Sequence, residues 1–265
     1  MLEPHVTQGA GLHCIAAPAV PRVITIASHG DPQDELLLLW HLCSTLTGFG
    51  YPLAVLDATS TESVDNPGLD QLLDDAFWHR DASTDQLSWS IVPAANGFKR
   101  LSRQAEGQDQ SLHRLGGLFQ NFGVVVIYAH VETLISLLPD SGIEPLLTVS
   151  SAPLSRVTAY QALKQLLLNA GLRSTIVSFM REPVQGAANG NLTASKSLQD
   201  CAMTYLGYRV DAMSVHAQPL EGQASDDMRQ LALRLLERAL PLYREASTMP
   251  RRYPSSVHDN FVGSH

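Results

Sequence analysis

The residues best placed to do chemistry lie near the N-terminus, between a predicted strand and a predicted helix. Branched apolar residues over 23–27 predict a buried strand. Asp31 followed by Pro32 predicts the N-cap and the first position of a helix. A loop of this kind is where phosphate binds in nucleotide-binding α/β proteins, because the N–H groups of the helix N-terminus point toward it. The local pattern therefore predicts the architecture of an anion site.

The side chains of this loop do not suit phosphate. A phosphate-binding loop needs glycines, then a Lys for the terminal phosphates and a Ser or Thr for magnesium. The eight residues in the matching register are His29, Gly30, Asp31, Pro32, Gln33, Asp34, Glu35 and Leu36. Pro32 has no N–H to donate, Glu35 stands at the Lys position and Leu36 at the hydroxyl position. One carboxylate about 4 Å from a phosphate charge costs on the order of 4 kcal/mol. We therefore expect the carboxylates of Asp31, Asp34 and Glu35 to line the site and repel an anion.

The composition narrows the class of protein. The 265 residues carry a net charge of −8, which argues against a nucleic-acid ligand, since attraction to phosphates needs a basic face. Cys14, Cys43 and Cys201 are far apart, and neither cysteines nor histidines show metal-ligand spacing, so we expect free thiols and no metal site. No apolar run approaches the ~18 residues of a membrane span. The N-terminus lacks the cationic start of a signal peptide, so we expect a cytoplasmic protein.

Strands alternate with amphipathic helices over most of the chain. This alternation predicts one α/β domain over 22–245, with a doubly wound, mainly parallel sheet and helices on both faces. The segment 123–129 is apolar on both faces, as expected for a central strand. Residues 1–21 are predicted to be an irregular lead-in. Residues 246–265 are predicted to be a disordered tail.

Three further predictions concern the later elements. A Pro/Gly-containing loop is predicted over 93–97, followed by a mostly polar, solvated helix over 99–121. A clear amphipathic helix is predicted over 155–170. The last helix is predicted over 225–243. Its polar face mixes arginines with carboxylates, so we expect it to pack on the sheet and not on a membrane surface.

Other groups allow a functional interpretation beside a structural one. Ser28, Asp57 and His130 all lie at predicted strand ends, which would allow a hydrolytic triad, but no G-x-S-x-G elbow supports one. His29 and Asp31 would form an acid/base pair, but no nucleophile can be placed beside them.

Two sets of residues are candidate contacts for partner proteins. The basic residues Lys99, Arg100, Arg103 and Arg114 would contact acidic partners, or they form a solvated helix face. The aromatic residues Trp78, Trp89 and Phe98 would anchor an interface, or they belong to the core.

The order and spacing of these elements resemble the MinD/ParA family of P-loop ATPases, which includes regulators of flagellar number and placement. The interval from Ser28 to Asp57 matches the interval from the P-loop to the aspartate that ends the family's second strand. The sequence FGVVVIYA at 122–129 resembles the strand that normally ends in a magnesium-binding aspartate. The passages at 145–167 and 194–215 resemble later strand and helix units. The resemblance covers residues 22–243 and implies the same α/β fold.

The departures from the family pattern are systematic. Gly30 and Glu35 replace the two lysines of the deviant P-loop, Leu36 replaces the magnesium hydroxyl and Tyr128 the strand-four aspartate. Asp57 is retained, either as a magnesium ligand or as a residue that only ends a strand and caps a turn.

The resemblance to the family, together with the loss of its phosphate- and magnesium-binding residues, implies a pseudo-ATPase without cofactor or catalytic residues. Such a protein would act through protein partners, as a homodimer or a hetero-complex, in positioning or control of flagella or another surface machine. The alternative is an ATP- and magnesium-dependent switch with an unorthodox loop, for example in cellulose secretion or cell division.

Overall fold

The computed structural model describes most of the predicted domain, namely residues 20–30, 32–74, 89–104, 114–150, 152, 154–180, 188–216 and 225–242. The predicted lead-in and tail lie almost wholly outside these residues. The elements are β1 Arg22–Ser28, α1 Pro32–Gly48, β2 Leu53–Asp57, α2 Leu69–Leu72, β3 Trp89–Pro93, α3 Ala95–Gln104, α4 114–118, β4 Val124–His130, α5 Val131–Leu137, β5 Leu146–Val149, α6 Ser155–Ala170, β6 Thr175–Met180, α7 Ala188–Leu206, β7 Asp211–His216, α8 Asp226–Arg238 and β8 Leu240–Pro241.

The strands form a mainly parallel sheet in the order β3-β2-β4-β1-β5-β6-β7. Every pairing along this path is parallel, so the carboxyl ends of the strands meet at one edge of the sheet. The order reverses direction around β1, which lies between β4 and β5, and such a switch point is where open α/β sheets bind ligands. The predicted fold class is confirmed.

Two hydrophobic cores cover the two faces of the sheet. Leucines of α1 and α8 pack on one face, and residues of α3, α5 and α6 pack on the other. The central strand β4 is buried from Val124 to Ala129, as its apolar sequence predicts. The bounds of α6 agree with the predicted helix, which ends at Gly171 in the left-handed conformation, with φ of 63°.

The predicted loop at 93–97 is wrong, because α3 already begins at Ala95. The carboxylate of Glu62 accepts the N–H groups of Asn96 at 2.7 Å and Gly97 at 2.8 Å, and so caps this helix from a distant part of the chain. The helix is also not simply solvated, since Phe98 and Leu101 are buried. Local sequence cannot predict a cap that the fold supplies from elsewhere.

The last predicted helix is too long at its C-terminal end. The helix α8 begins after Ser225, whose hydroxyl caps the N–H of Met228, and it ends at Arg238. The chain then becomes extended, and Leu240 pairs antiparallel with Val23 of β1. Pro241 explains the end, since proline disfavours helix in the residue before it. No helix in the described ranges is long and apolar enough to cross a membrane.

Candidate functional site

A cavity of about 680 Å³ opens at the carboxyl ends of β1, β2 and β4, next to the switch point of the sheet. Its walls come from the β1–α1 connection, the turn after β2, the end of β4 and one face of α6. Most of the lining groups are polar: Ser28, His29, Asp57, Thr59, Ser60, Tyr128, His130, Glu132, Thr158, Gln161 and Gln165. The cavity therefore lies where the sequence predicts the anion site.

The connection that should hold the anion is short. Strand β1 ends at Ser28 and helix α1 begins at Pro32, so the predicted helix start is confirmed. Only positions 29–31 connect the two elements, and Asp31 lies outside the described residues. Gly30 has a φ of 126°, a backbone conformation that residues other than glycine rarely adopt. A phosphate needs several consecutive N–H groups curving around it, and a connection of this length supplies few.

The carboxylate of Glu35 lies beneath this connection, fully buried. Its Oε1 accepts the backbone N–H of His29 at 2.9 Å, and its Oε2 accepts the hydroxyl of Tyr128 at 2.8 Å. The Tyr128 oxygen also lies 3.2 Å from Oγ of Ser28. An acidic side chain of the protein thus accepts a main-chain N–H group of the β1–α1 connection.

The imidazole of His29 extends this buried network. Its Nε2 lies 3.8 Å from Oε1 of Glu35, and its Nδ1 lies 3.3 Å from Oγ1 of Thr158 in the first turn of α6. The His29 side chain is 2% exposed. The first turn of α6 therefore holds the connection from one side, and Glu35 holds it from the other.

The predicted acidic lining needs a correction. Asp34 and Glu35 are buried in the first turn of α1 and do not line the cavity. Gln33 is exposed, while Leu36 is 49% exposed at the rim. The carboxylates that line the described cavity are those of Asp57 and Glu132.

Tyr128 lies in β4, directly opposite Asp57 of β2 in the parallel register. Burial raises the pKa of the Tyr128 phenol; the hydrogen bond with Ser28 opposes this shift, and the charge of Glu35 adds to it. The phenol therefore keeps its proton at physiological pH. This proton is what Tyr128 donates to the carboxylate of Glu35.

Asp57 is held in a turn at the end of β2. Its Oδ1 accepts the N–H of Thr59 at 2.9 Å and the Thr59 hydroxyl at 2.6 Å, while Oδ2 accepts the hydroxyl of Ser60. This is the strand-ending, turn-capping arrangement that the sequence allowed as an alternative to magnesium binding. Among the described residues, no three His, Cys, Asp or Glu side chains converge as metal ligands.

The fold brings Ser28, Asp57 and His130 to one cavity, but their described hydrogen bonds do not form a triad. Ser28 contacts Tyr128, and Asp57 is bound by the turn that follows it. Sequence reasoning missed Thr158, Gln161 and Gln165, which line the opposite wall. Their spacing along α6 places them on one helix face, but nothing in the sequence indicated which element that face meets.

Known structures share this architecture. The MinC:MinD cell division protein complex of Aquifex aeolicus matches with a TM-score of 0.54 and 13% identity, covering 84% of this chain and 99% of that chain. Cobyrinic acid a,c-diamide synthase from Mycobacterium smegmatis, with bound ADP and magnesium, matches with a TM-score of 0.53 and 16% identity, covering 84% and 99%. The chain has the fold of the MinD/ParA-type P-loop ATPases. No family model matches the chain, and no curated protein matches it in sequence.

Within this MinD/ParA-type fold, the network of Glu35, Tyr128 and His29 lies at the β1–α1 connection, the expected phosphate position. At identities of this size the likeness shows the fold alone. The chemistry of the site must therefore be argued from the side chains of this chain.

Proposed function

We propose that the protein is a pseudo-ATPase with the MinD/ParA-type fold, a regulator or scaffold that acts through contacts with other proteins. The observation that carries this proposal is the buried carboxylate of Glu35. It accepts hydrogen bonds from the N–H of His29 and the hydroxyl of Tyr128 at the β1–α1 connection, where phosphate binds in nucleotide-binding α/β proteins. In this proposal the carboxylate of Glu35 takes the place of a bound phosphate.

Electrostatics supports the same conclusion. No Lys or Arg is among the described residues that line the cavity, whereas Asp57 and Glu132 are. A phosphate charge about 4 Å from the Glu35 carboxylate would be repelled by on the order of 4 kcal/mol at an effective dielectric constant of 20. This corresponds to roughly a thousandfold loss of affinity. Displacing Glu35 would break its two hydrogen bonds as well.

The proposed cellular role rests on the resemblance to flagellar number and placement regulators. A MinD/ParA-type body that has lost its nucleotide chemistry still offers helix faces and sheet edges to partner proteins. We propose that the protein controls or positions flagella or another surface machine from the cytoplasm, as a homodimer or in a hetero-complex. The net charge of −8 favours protein partners over nucleic acid.

The direct test is calorimetric titration of the purified protein with ATP and magnesium. We expect no binding heat at millimolar nucleotide and no rise in melting temperature, since a ligand that binds only the folded state must stabilise it. Micromolar affinity would reject the proposal.

A paired set of variants tests the stated cause. The double change Glu35→Lys with Leu36→Thr restores a cation and a hydroxyl at the loop. Gln33→Lys places a lysine at an exposed position of the same helix turn and leaves the Glu35 carboxylate in place. If the buried carboxylate excludes nucleotide, the double variant gains measurable affinity and Gln33→Lys does not. If the two variants have the same affinity for nucleotide, the carboxylate of Glu35 is not what excludes nucleotide.

A second candidate function is an ATP-dependent switch whose loop is completed by a Lys from a partner. The observation in its favour is the open cavity of about 680 Å³ beside Asp57. Under this alternative, ATP hydrolysis appears only when the partner is present, and Asp57→Asn abolishes it. Under the pseudo-ATPase proposal, hydrolysis stays at background with or without the partner.

A further inference from the structure

Among the described strands, β3 lies at one edge of the sheet. In the described part of the chain it pairs only with β2, in a parallel ladder from Trp89 to Pro93. Its other side presents main-chain N–H and C=O groups outward, as any edge strand does. Such groups are a template for the addition of another strand.

The two edges of the sheet differ in charge. The opposite edge strand, β7, carries Asp211, which forms ion pairs with two arginines of α8, and His216, which forms a hydrogen bond with an aspartate of the same helix. Charged residues on an edge strand discourage strand addition. Strand β3 has the sequence WSIVP and carries no charge. The β3 edge therefore lacks the charged side chains of the β7 edge, and its one proline, Pro93, is the last residue of the strand.

Exposed apolar side chains lie beside the β3 edge. Trp40 of α1 is 56% exposed and packs edge-to-face on Trp89, with ring centroids 5.0 Å apart. Ile91 is 60% exposed and lies on the same face of β3 as Trp89, two positions along the strand. Leu36 is 49% exposed, one helical turn before Trp40. We name Leu36, Trp40, Trp89 and Ile91 the β3 strip.

The β3 strip extends toward the carboxyl edge of the sheet. Helix α1 follows β1 and returns antiparallel to the strands, so a step from Trp40 to Leu36 runs in the same direction as a step from Trp89 to Ile91. The first step covers roughly 6 Å of helix and the second roughly 6.6 Å of strand. The β3 strip therefore runs from the Trp40–Trp89 pair toward the carboxyl edge of the sheet, where Leu36 lies at the rim of the cavity.

We propose that the β3 edge and the β3 strip bind an extended segment of a partner protein as an added strand. The main chain of the segment would pair with β3, and its alternate side chains would lie on Trp40 and Ile91. The segment needs branched or aromatic apolar residues at alternate positions and no proline between them. This inference rests on the proposed function, because it names the surface through which a protein without nucleotide chemistry would act.

A second copy of the chain fits this surface less well. The five residues of β3 with Leu36 and Trp40 make seven residues, far fewer than the roughly 20–30 per side of a stable dimer interface. Two copies would also bring together two bodies of net charge −8. A short segment has neither difficulty, since edge pairing supplies main-chain hydrogen bonds and tryptophans are frequent hot spots of binding.

The test selects displayed linear peptides of random sequence, each longer than β3, on the purified full-length protein. The selected peptides are then synthesised, and their binding is measured by fluorescence anisotropy. We expect an alternating apolar pattern among them. Ile91→Lys, which charges the edge, and Trp40→Ala, which removes half of the aromatic pair, should each weaken binding by about tenfold or more. Methylation of alternate peptide N–H groups should abolish binding, since it removes the strand pairing.

The matched control is Leu168→Lys, which places the same charge on an apolar residue of α6 that is 63% exposed. It should leave the affinity unchanged, and circular dichroism checks that each variant folds.

The proposal is overturned if no peptide is selected, or if Ile91→Lys binds the peptides as tightly as the wild type. It is also overturned if the wild type is a dimer that Ile91→Lys dissociates, since the occupant is then a second copy. Leu36 of the β3 strip lies at the cavity rim, but neither substituted residue, Ile91 or Trp40, lines the cavity. A positive ATP titration would therefore reject the pseudo-ATPase proposal without changing the effect of these two substitutions on peptide binding.

Discussion

Replacing Tyr128 by Phe removes one buried hydroxyl from the network and leaves the ring in place. Tyr128 is 2% exposed, and its hydroxyl donates to the fully buried carboxylate of Glu35 at 2.8 Å. A hydrogen bond to a charged group contributes about 1.5–3 kcal/mol, and a buried acceptor left unsatisfied bears its desolvation cost. We expect the free energy of unfolding to fall by about 2 kcal/mol. At about 2–4 °C per kcal/mol for a chain of this size, the melting temperature should fall by roughly 4–8 °C.

A double-mutant cycle separates this bond from other effects of the substitution. If Glu35→Leu is already present, Tyr128→Phe should cost less than about 1 kcal/mol, because removing both partners of a hydrogen bond is nearly neutral. Tyr205→Phe is the control, since Tyr205 is 73% exposed and its change should stay within about 0.5 kcal/mol. Urea unfolding followed by circular dichroism gives each value. If Tyr128→Phe costs no more than Tyr205→Phe, or costs the same with and without Glu35, the buried network is not what we describe.

Three further predictions concern residues away from the cavity. Glu62→Ala should lower the free energy of unfolding by about 2 kcal/mol, because two N–H groups at the start of α3 lose their cap; an unchanged urea midpoint would contradict the cap. Gly97→Ala should cost about 1–3 kcal/mol, since its new Cβ would lie 2.6 Å from a side-chain atom of α2, whereas Gly48→Ala meets nothing within 4 Å and should not destabilise. Burial raises the pKa of Cys43 to about 12, so iodoacetamide at pH 8 should modify the half-buried Cys201 and spare Cys43 until urea is added, as peptide mass spectrometry would show.

Much of the fold could be predicted because its signals are local. The apolar run of β4, the amphipathic spacing of α6 and the turn residues before α1 each specify one element without reference to the rest. Alternation of strands and helices then restricts the topology to a mainly parallel sheet. The same reasoning failed at 93–97 and after Arg238. There, a carboxylate from another part of the chain and a pairing with β1 decide the structure.

The candidate site was predictable in its place but not in its contacts. The spacing from Ser28 to Asp57 located the connection and the strand end that line the cavity. It did not indicate that Glu35 turns inward, because a helix position alone does not say which neighbour the side chain meets. Tyr128 and Glu35 are 93 positions apart, and only the parallel pairing of β1 with β4 brings them together.

The sequence by itself determined that the chain is an α/β protein and that its β1–α1 connection lacks the glycines, the Lys and the Ser or Thr of a phosphate-binding loop, because residue types and short-range spacing suffice for both conclusions. Only the tertiary structure decided what those side chains do. The carboxylate of Glu35 does not line the cavity; it is buried beneath the β1–α1 connection, where Tyr128 and the N–H of His29 donate hydrogen bonds to it. The β3 strip likewise forms only because the fold places β3 at the edge of the described sheet and brings Trp40 of α1 against Trp89. Contacts between distant residues depend on how elements pack, and packing is a property of the whole chain.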